Sequence, residues 1–138
     1  MNNFFSHTED VAEPVGFTAR ATETLTYNVD DVIQFPATIS NFGGYYNPAS
    51  GLFTCPYDGI YMFFSSIRSD DTDIICYIYK ETSRLGQIFS LYSSATASNL
   101  VITDCSRGER VWVRQDGNND VIMGTRASTF SGFLLYRS

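Results

Sequence analysis

Side chains able to do covalent or metal chemistry are few in this chain of 138 residues. The single histidine, His7, lies in a polar N-terminal stretch, so no Ser-His-Asp, Cys-His or multi-histidine metal group can be assembled within one protomer. Asp70, Asp71 and Asp73 fall close together, and their hard oxygens would suit an acid-base pair or a calcium ion. The stretch lacks the loop spacing and closing glutamate of an EF-hand, and a solvated acidic turn is the plain alternative. Gly43-Gly44 sits among turn residues with no helix after it, unlike a phosphate-cradling loop. These residues argue against an enzyme and imply no cofactor. Recognition chemistry is better represented. Eight of the nine basic residues are arginine, Lys80 being the exception. Guanidinium groups grip carboxylates or sulfates through paired hydrogen bonds, although solvated surface arginines explain the same count.

Any such residues must be positioned by strands. Between Phe35 and Phe64, short apolar runs alternate with turn chemistry: Asn41-Phe42-Gly43-Gly44, Asn47-Pro48-Ala49-Ser50-Gly51 and Pro56-Tyr57-Asp58-Gly59. Tyr45, Tyr46, Phe53, Tyr61, Phe63 and Phe64 between those corners have the bulk to fill a space between two sheets. Further strands are expected over 15–21, 53–55, 60–67, 74–80, 87–92, 99–103, 111–114 and 129–136. An extended segment over 32–40, interrupted by Pro36, belongs near a sheet edge. Residues 22–31 and 69–73 read as loops, and 1–14 as a flexible acidic leader before a single domain over 15–138. About ten short strands with no helical period mean an antiparallel β-sandwich.

Alternation carries one more inference. Ile60, Met62 and Phe64 share one face of their strand, and Tyr61 and Phe63 the other. In the last strand Phe130, Leu134 and Tyr136 oppose Phe133 and Leu135. Both faces are apolar, whereas a sandwich sheet needs only one apolar face. A partner subunit is expected to cover the second, with Tyr61, Phe63, Phe130, Phe133, Leu135 and Tyr136 divided between core and interface.

Composition sets the outer limits. Hydrophobic content of 43% against 17% charged residues describes a packed globule, and aromatics reach 15%. The net charge of -6 is concentrated at the start: residues 1–31 hold six acidic groups against Arg20 alone, and the remainder is nearly balanced. Without a basic stripe, nucleic acid is not an expected partner. No run approaches the roughly 18 apolar residues of a membrane-spanning helix. Cys55, Cys76 and Cys105 allow at most one intrachain disulfide, with Cys55–Cys105 among the open pairings and Cys76 most simply a small buried hydrophobe.

The spaced residues Phe35, Asn41, Tyr46, Phe53, Gly59, Tyr61 and Phe63 resemble the signature of the complement C1q globular head domain. So do Gly16-Phe17-Thr18-Ala19-Arg20, Gly108-Glu109-Arg110-Val111-Trp112-Val113 and Ser128 to Tyr136, so that the resemblance runs from about Val15 to the C-terminus. One position departs: the family pattern has an aromatic where this chain has Ser65, and Phe64 is expected to fill part of that volume. Some relatives pair the cysteine matching Cys76 with one on the next strand, which has none here.

The resemblance implies a jelly roll of the C1q and tumour necrosis factor type that associates as a homotrimer. It also implies a secreted recognition domain, most like soluble invertebrate members with a lectin-like role in innate immunity, binding glycans or microbial polysaccharides. The N-terminus lacks the features of a secretory signal, so secretion is expected to rely on a signal outside this sequence or on unconventional export. There is no collagen repeat and no Asn-x-Ser/Thr site in the sequence. For an acidic sugar such as sialic acid, Arg84, Arg126 and Tyr92 are the candidates, aligned on or near loops, with Asn118 and Asn119 as amide donors. For each, an ordinary loop residue is the plainer reading. Calcium-binding relatives use aspartates in segments matching 90–94 and 126–128; neither holds a carboxylate here, so the family-type site is expected to be missing, leaving Asp70, Asp71 and Asp73 as the alternative loop site. A cytokine-like or organiser-like ligand for a protein receptor is the competing function, and a domain that trimerises a longer product is a third.

Overall fold

The computed structural model describes residues 13–92, 94–117 and 127–138, together with the backbone of 120–122. Among them are twelve strands: β1 (Gly16–Arg20), β2 (Leu25–Tyr27), β3 (Ala37–Phe42), β4 (Tyr46–Asn47), β5 (Leu52–Thr54), β6 (Gly59–Arg68), β7 (Ile74–Lys80), β8 (Ser83–Ser90), β9 (Thr96–Cys105), β10 (Arg110–Gln115), β11 (Asp120–Ile122) and β12 (Thr129–Arg137). They form two five-stranded antiparallel sheets, β3-β1-β12-β6-β9 and β4-β5-β10-β7-β8, and a small β11-β2 pair. The all-β sandwich inferred from turn spacing is the fold.

Aromatics fill the space between the sheets. Phe17 stacks on Tyr46 with centroids 4.5 Å apart and on Phe53 at 5.1 Å, and Phe130 meets Phe17 edge-on at 4.9 Å. Phe35, Tyr61 and Phe63 complete the cluster, all fully buried. Ring burial of this kind contributes roughly 1.5–3 kcal/mol per side chain. Several residues of the spaced signature hold each other. The Asn41 side chain donates to the Tyr46 carbonyl at 2.8 Å and accepts from its N–H at 3.2 Å, while the Tyr46 hydroxyl donates to the Phe35 carbonyl at 2.9 Å. Gly59 is needed for close approach, since a Cβ there would lie 2.3 Å from the Tyr136 carbonyl oxygen.

Four sequence expectations are corrected. The loop expected over 22–31 contains β2, which pairs with β11. The strand expected over 87–92 runs instead from Ser83 to Ser90, because β7 and β8 form a tight hairpin through Glu81-Thr82 with Lys80 opposite Ser83. Phe64 does not fill the volume at Ser65: it pairs with Ser131 and Leu100 and lies on the opposite face. Ser65 itself is buried, its hydroxyl donating to the Thr129 carbonyl at 2.8 Å. In β12 a register shift between Leu134 and Tyr136 sets Tyr136 opposite Ile60, moving it off the face that Phe130 and Leu134 share. The open cysteine pairing resolves to a Cys55–Cys105 disulfide that closes a separation of 50 residues, with Cys76 a buried thiol outside it. Of the leader, only Glu13 and Pro14 fall among the described residues, both exposed.

Candidate functional site

The two sheets present outer faces of opposite character. On the first sheet the register aligns Phe42, Gly16, Phe133, Met62 and Ile102 in one row and Ser40, Thr18, Ser131, Phe64 and Leu100 in the next. Phe42, Phe133, Leu100, Ile102, Leu135 and Tyr136 are exposed large hydrophobics, Tyr136 to 67%. A shallow hollow of about 450 Å³ lies between Phe42 and Phe133, where Gly16 has no side chain to fill it. Tyr61, Phe63 and Phe130 point inward and are wholly buried. Beyond these rows the face turns polar, with Arg20, Thr129, Ser66 and Ser98 in register.

The second sheet's outer face is built of aromatic rings and guanidinium groups. Alternation on β10 directs Arg110, Trp112 and Arg114 outward. On β7, Tyr77 and Tyr79 lie beside them, and a register shift after Ile78 brings Arg84 of β8 opposite Tyr79. The Tyr79 hydroxyl donates to Asp116 Oδ2 at 2.8 Å and accepts from Arg84 Nε at 2.9 Å and from Arg114 Nη2. Asp116, its side chain only 4% exposed, also accepts from Arg114 Nε at 2.8 Å and forms an ion pair with Arg84 Nη2 at 2.9 Å. Arg84 lies over the Tyr77 ring at 4.6 Å, Arg114 over Tyr79 at 4.0 Å, and Trp112 stacks on Tyr79 at 6.2 Å. Arg110 clasps Glu81 through Nε and Nη2, both at 3.1 Å.

The electrostatics follow from these contacts. Burial pushes the Tyr79 phenol up, partly opposed by the Arg84 hydrogen bond. The Arg110 hydrogen bonds hold Glu81 below the usual carboxylate range. Burial works against the Arg114 charge, but Asp116 outweighs it and the guanidinium is held more firmly protonated than usual.

Of the residues expected to bind a ligand, Arg84 belongs to this cluster. It sits near the start of β8 beside the Glu81-Thr82 turn. Tyr92 lies past the other end of β8, whose last residue is itself roughly 20 Å from Arg84 along the strand, and is 80% exposed. The two are not brought together. Asn118, Asn119 and Arg126 lie outside the described residues. Asp70 and Asp71 are exposed at the β6–β7 connection with Asp73, and among the described residues no three His, Cys, Asp or Glu side chains are grouped as metal ligands. Tyr77, Tyr79, Trp112, Arg114 and Asp116 were not singled out as ligand-binding from the sequence. Their signal was present in the alternation of Tyr77 with Tyr79 and of Trp112 with Arg114, but joining the two pairs requires the β7–β10 register.

Two antiparallel sheets enclosing an aromatic core, with one apolar and one aromatic-guanidinium outer face, define a jelly roll of the C1q and tumour necrosis factor type. The C1q domain family model matches residues 16–135, and the chain belongs to that family. It is 32% identical over 120 residues to complement C1q tumor necrosis factor-related protein 3 of Homo sapiens, covering 80% of this chain and 47% of that protein. It is also 32% identical over 127 residues to Caprin-2 of Danio rerio, covering 86% of this chain and 14% of that protein. The chain thus spans about half the length of the first relative and a small part of the second. Among solved structures, the globular domain of zebrafish complement 1qA protein superposes with a TM-score of 0.78 at 18% identity, covering 92% of this chain and all of that one. An Eiger tumour necrosis factor from S. frugiperda gives 0.71 at 13% identity, covering 92% and 96%.

Proposed function

We propose that this domain is an extracellular, non-catalytic recognition module that works as a homotrimer and binds saccharides on the surface it turns outward. The observation that carries the reading is the division between its two outer faces. One carries a large apolar patch of Phe42, Phe133, Met62, Ile102, Phe64 and Leu100, and the other is a polar face of aromatic rings and directed hydrogen-bond donors. C1q and tumour necrosis factor-type domains commonly form trimers, and the apolar face is where copies of this chain would meet. Three copies on one axis turn weak saccharide contacts into useful avidity. The Cys55–Cys105 disulfide suits an oxidising compartment, in keeping with a relative named for complement C1q.

A glycan and microbial-polysaccharide array, probed with the purified protein with calcium and again with chelator, tests the reading. Selective binding is the expected result, and the chelator lane reports whether a metal contributes. A blank array from protein of confirmed trimeric mass would favour a protein receptor instead. The exposed run of Phe89, Leu91 and Tyr92 at one end of the sandwich is the feature that would serve that second reading.

A further inference from the structure

We propose that the pocket between β2 and the 32–36 segment binds an ammonium group on a short alkyl stem, the chemistry of a lysine side chain or of a small free amine. The site is independent of the saccharide reading. It belongs to neither large outer face, since β2 pairs with β11 and lies in neither five-stranded sheet. Its volume of about 250 Å³ suits one side-chain-sized group and falls below the usual range for drug-sized ligands.

The chain builds this pocket from two segments. Alternation along 32–36 buries Ile33 and Phe35 and leaves Gln34 and Pro36 exposed. β2 brings Tyr27 beside Gln34, whose backbone N–H donates to the Tyr27 hydroxyl at 3.3 Å and ties the two segments together. Tyr27 and Ala21 line the pocket and are both buried, which gives it a fixed floor. Leu25, 43% exposed, and Pro36 supply apolar walls against which methylene groups would lie.

The polar walls select the charge. Thr22, Glu23 and Gln34 line the pocket, and among the described residues none of their side chains makes a hydrogen bond or an ion pair. Glu23 supplies a carboxylate, and the hydroxyl, amide and phenol oxygens supply further acceptors for the three N–H groups of an ammonium. Residues 21–36 hold Glu23, Asp30 and Asp31 and no lysine or arginine. Arg20, the nearest base in sequence, aligns with Thr129 in the polar row of the first sheet, and Arg114, which reaches Asp30, is also engaged by Asp116. Burial pushes the Tyr27 phenol up; the Gln34 hydrogen bond opposes this, and the Asp31 and Glu23 carboxylates add to it, so both negative charges are felt at the pocket's inner wall. A cation is favoured there and an anion repelled. A carboxylate on open surface holds an ammonium only weakly, and the walls of Leu25 and Pro36 add burial of the stem.

Methyl-resolved NMR of the full chain tests the site, with Ala21 and Leu25 as reporters that line it. The probes are pentylamine as a free amine, N-acetyl-lysine methylamide as a side chain on a backbone, and pentanol as the neutral control. Saturable shifts at both residues with either cationic probe, at roughly millimolar half-saturation, and none with pentanol are the expected result. The two cationic arms separate a small amine from a partner protein's lysine. Glu23→Gln, an exposed change, should raise the half-saturation concentration by about tenfold without altering the melting temperature, and Glu23→Asp should recover part of the affinity. Equal shifts with pentanol, or an unchanged half-saturation in Glu23→Gln, would overturn the ligand class. No saturable shift with either amine at about 50 mM would overturn the site, and neither result bears on the glycan array.

Discussion

Asn41 shows how much of this fold one side chain can secure. Both ends of its amide are used on the Tyr46 backbone, and the Tyr46 ring lies against Phe17 while its hydroxyl is spent on Phe35. Asn41→Ala leaves a buried backbone pair without partners and should lower stability by about 2 kcal/mol in urea unfolding, against about 1 kcal/mol for Tyr46→Phe, which removes only the hydroxyl. The Phe35, Asn41 and Tyr46 spacing was legible in the sequence as a family resemblance; its physical reason, a mutual clasp across a turn, was not. Glu81 gives a second residue-scale test. Its carboxyl is held below the usual range by Arg110, so its contribution is present above the ordinary glutamate pKa and is lost as pH falls through the lower folded value. The pair is largely exposed, and the effect should be well under about 1 kcal/mol. Glu81→Gln should lower stability slightly at pH 7 and flatten the fall in stability below the ordinary glutamate pKa; an unaltered acid limb would show that the ion pair contributes nothing.

At the scale of elements, β6 and β12 set which side chains face the core and which face outward. Gly132 of β12 lies under Phe63, where an added Cβ would come within 2.5 Å of the ring. Gly132→Ala should therefore cost about 1–3 kcal/mol and displace Phe63, seen as a lower melting temperature and altered near-ultraviolet ring signals. The disulfide ties the start of the β5–β6 connection to the end of β9. Closing a separation of 50 residues should stabilise by about 2–4 kcal/mol, so a Cys55→Ser, Cys105→Ser double variant should lose most of that and still fold around the same core. Strand existence was readable from turn chemistry and period. What was not readable were the register shifts: one extra residue near Leu135 turns Tyr136 outward, and one at Leu85 of β8 sets Arg84 on Tyr79. Bulges add a residue without changing composition or apparent alternation, so a periodic reading slips past them. The β2 strand escaped for a different reason, being only three residues long with two of them exposed.

The whole molecule is organised by the contrast between its faces. The first sheet's outer rows of Phe42, Phe133, Met62, Ile102, Phe64 and Leu100 make an apolar surface that a monomer would leave to water. The sequence disclosed the doubled apolar faces of β6 and β12, while the contribution of β3 and β9 emerged only with the sheet order. Placing a carboxylate in the middle of that surface, as in Phe133→Asp, should prevent the proposed trimer from forming, since a charge buried without a partner would cost several kcal/mol at each interface. The isolated fold should survive, because Phe133 contributes to the outer face and not to the core. If the proposed saccharide reading holds, avidity would fall with the trimer even where each single contact survived. The most direct test of the account is the mass of the wild-type protein by sedimentation velocity at micromolar concentration. A species of three times the 15.5 kDa chain mass is the predicted result. A stable, soluble monomer would contradict it, because the apolar face would then need no partner and the division of labour between the two sheets would lose its basis.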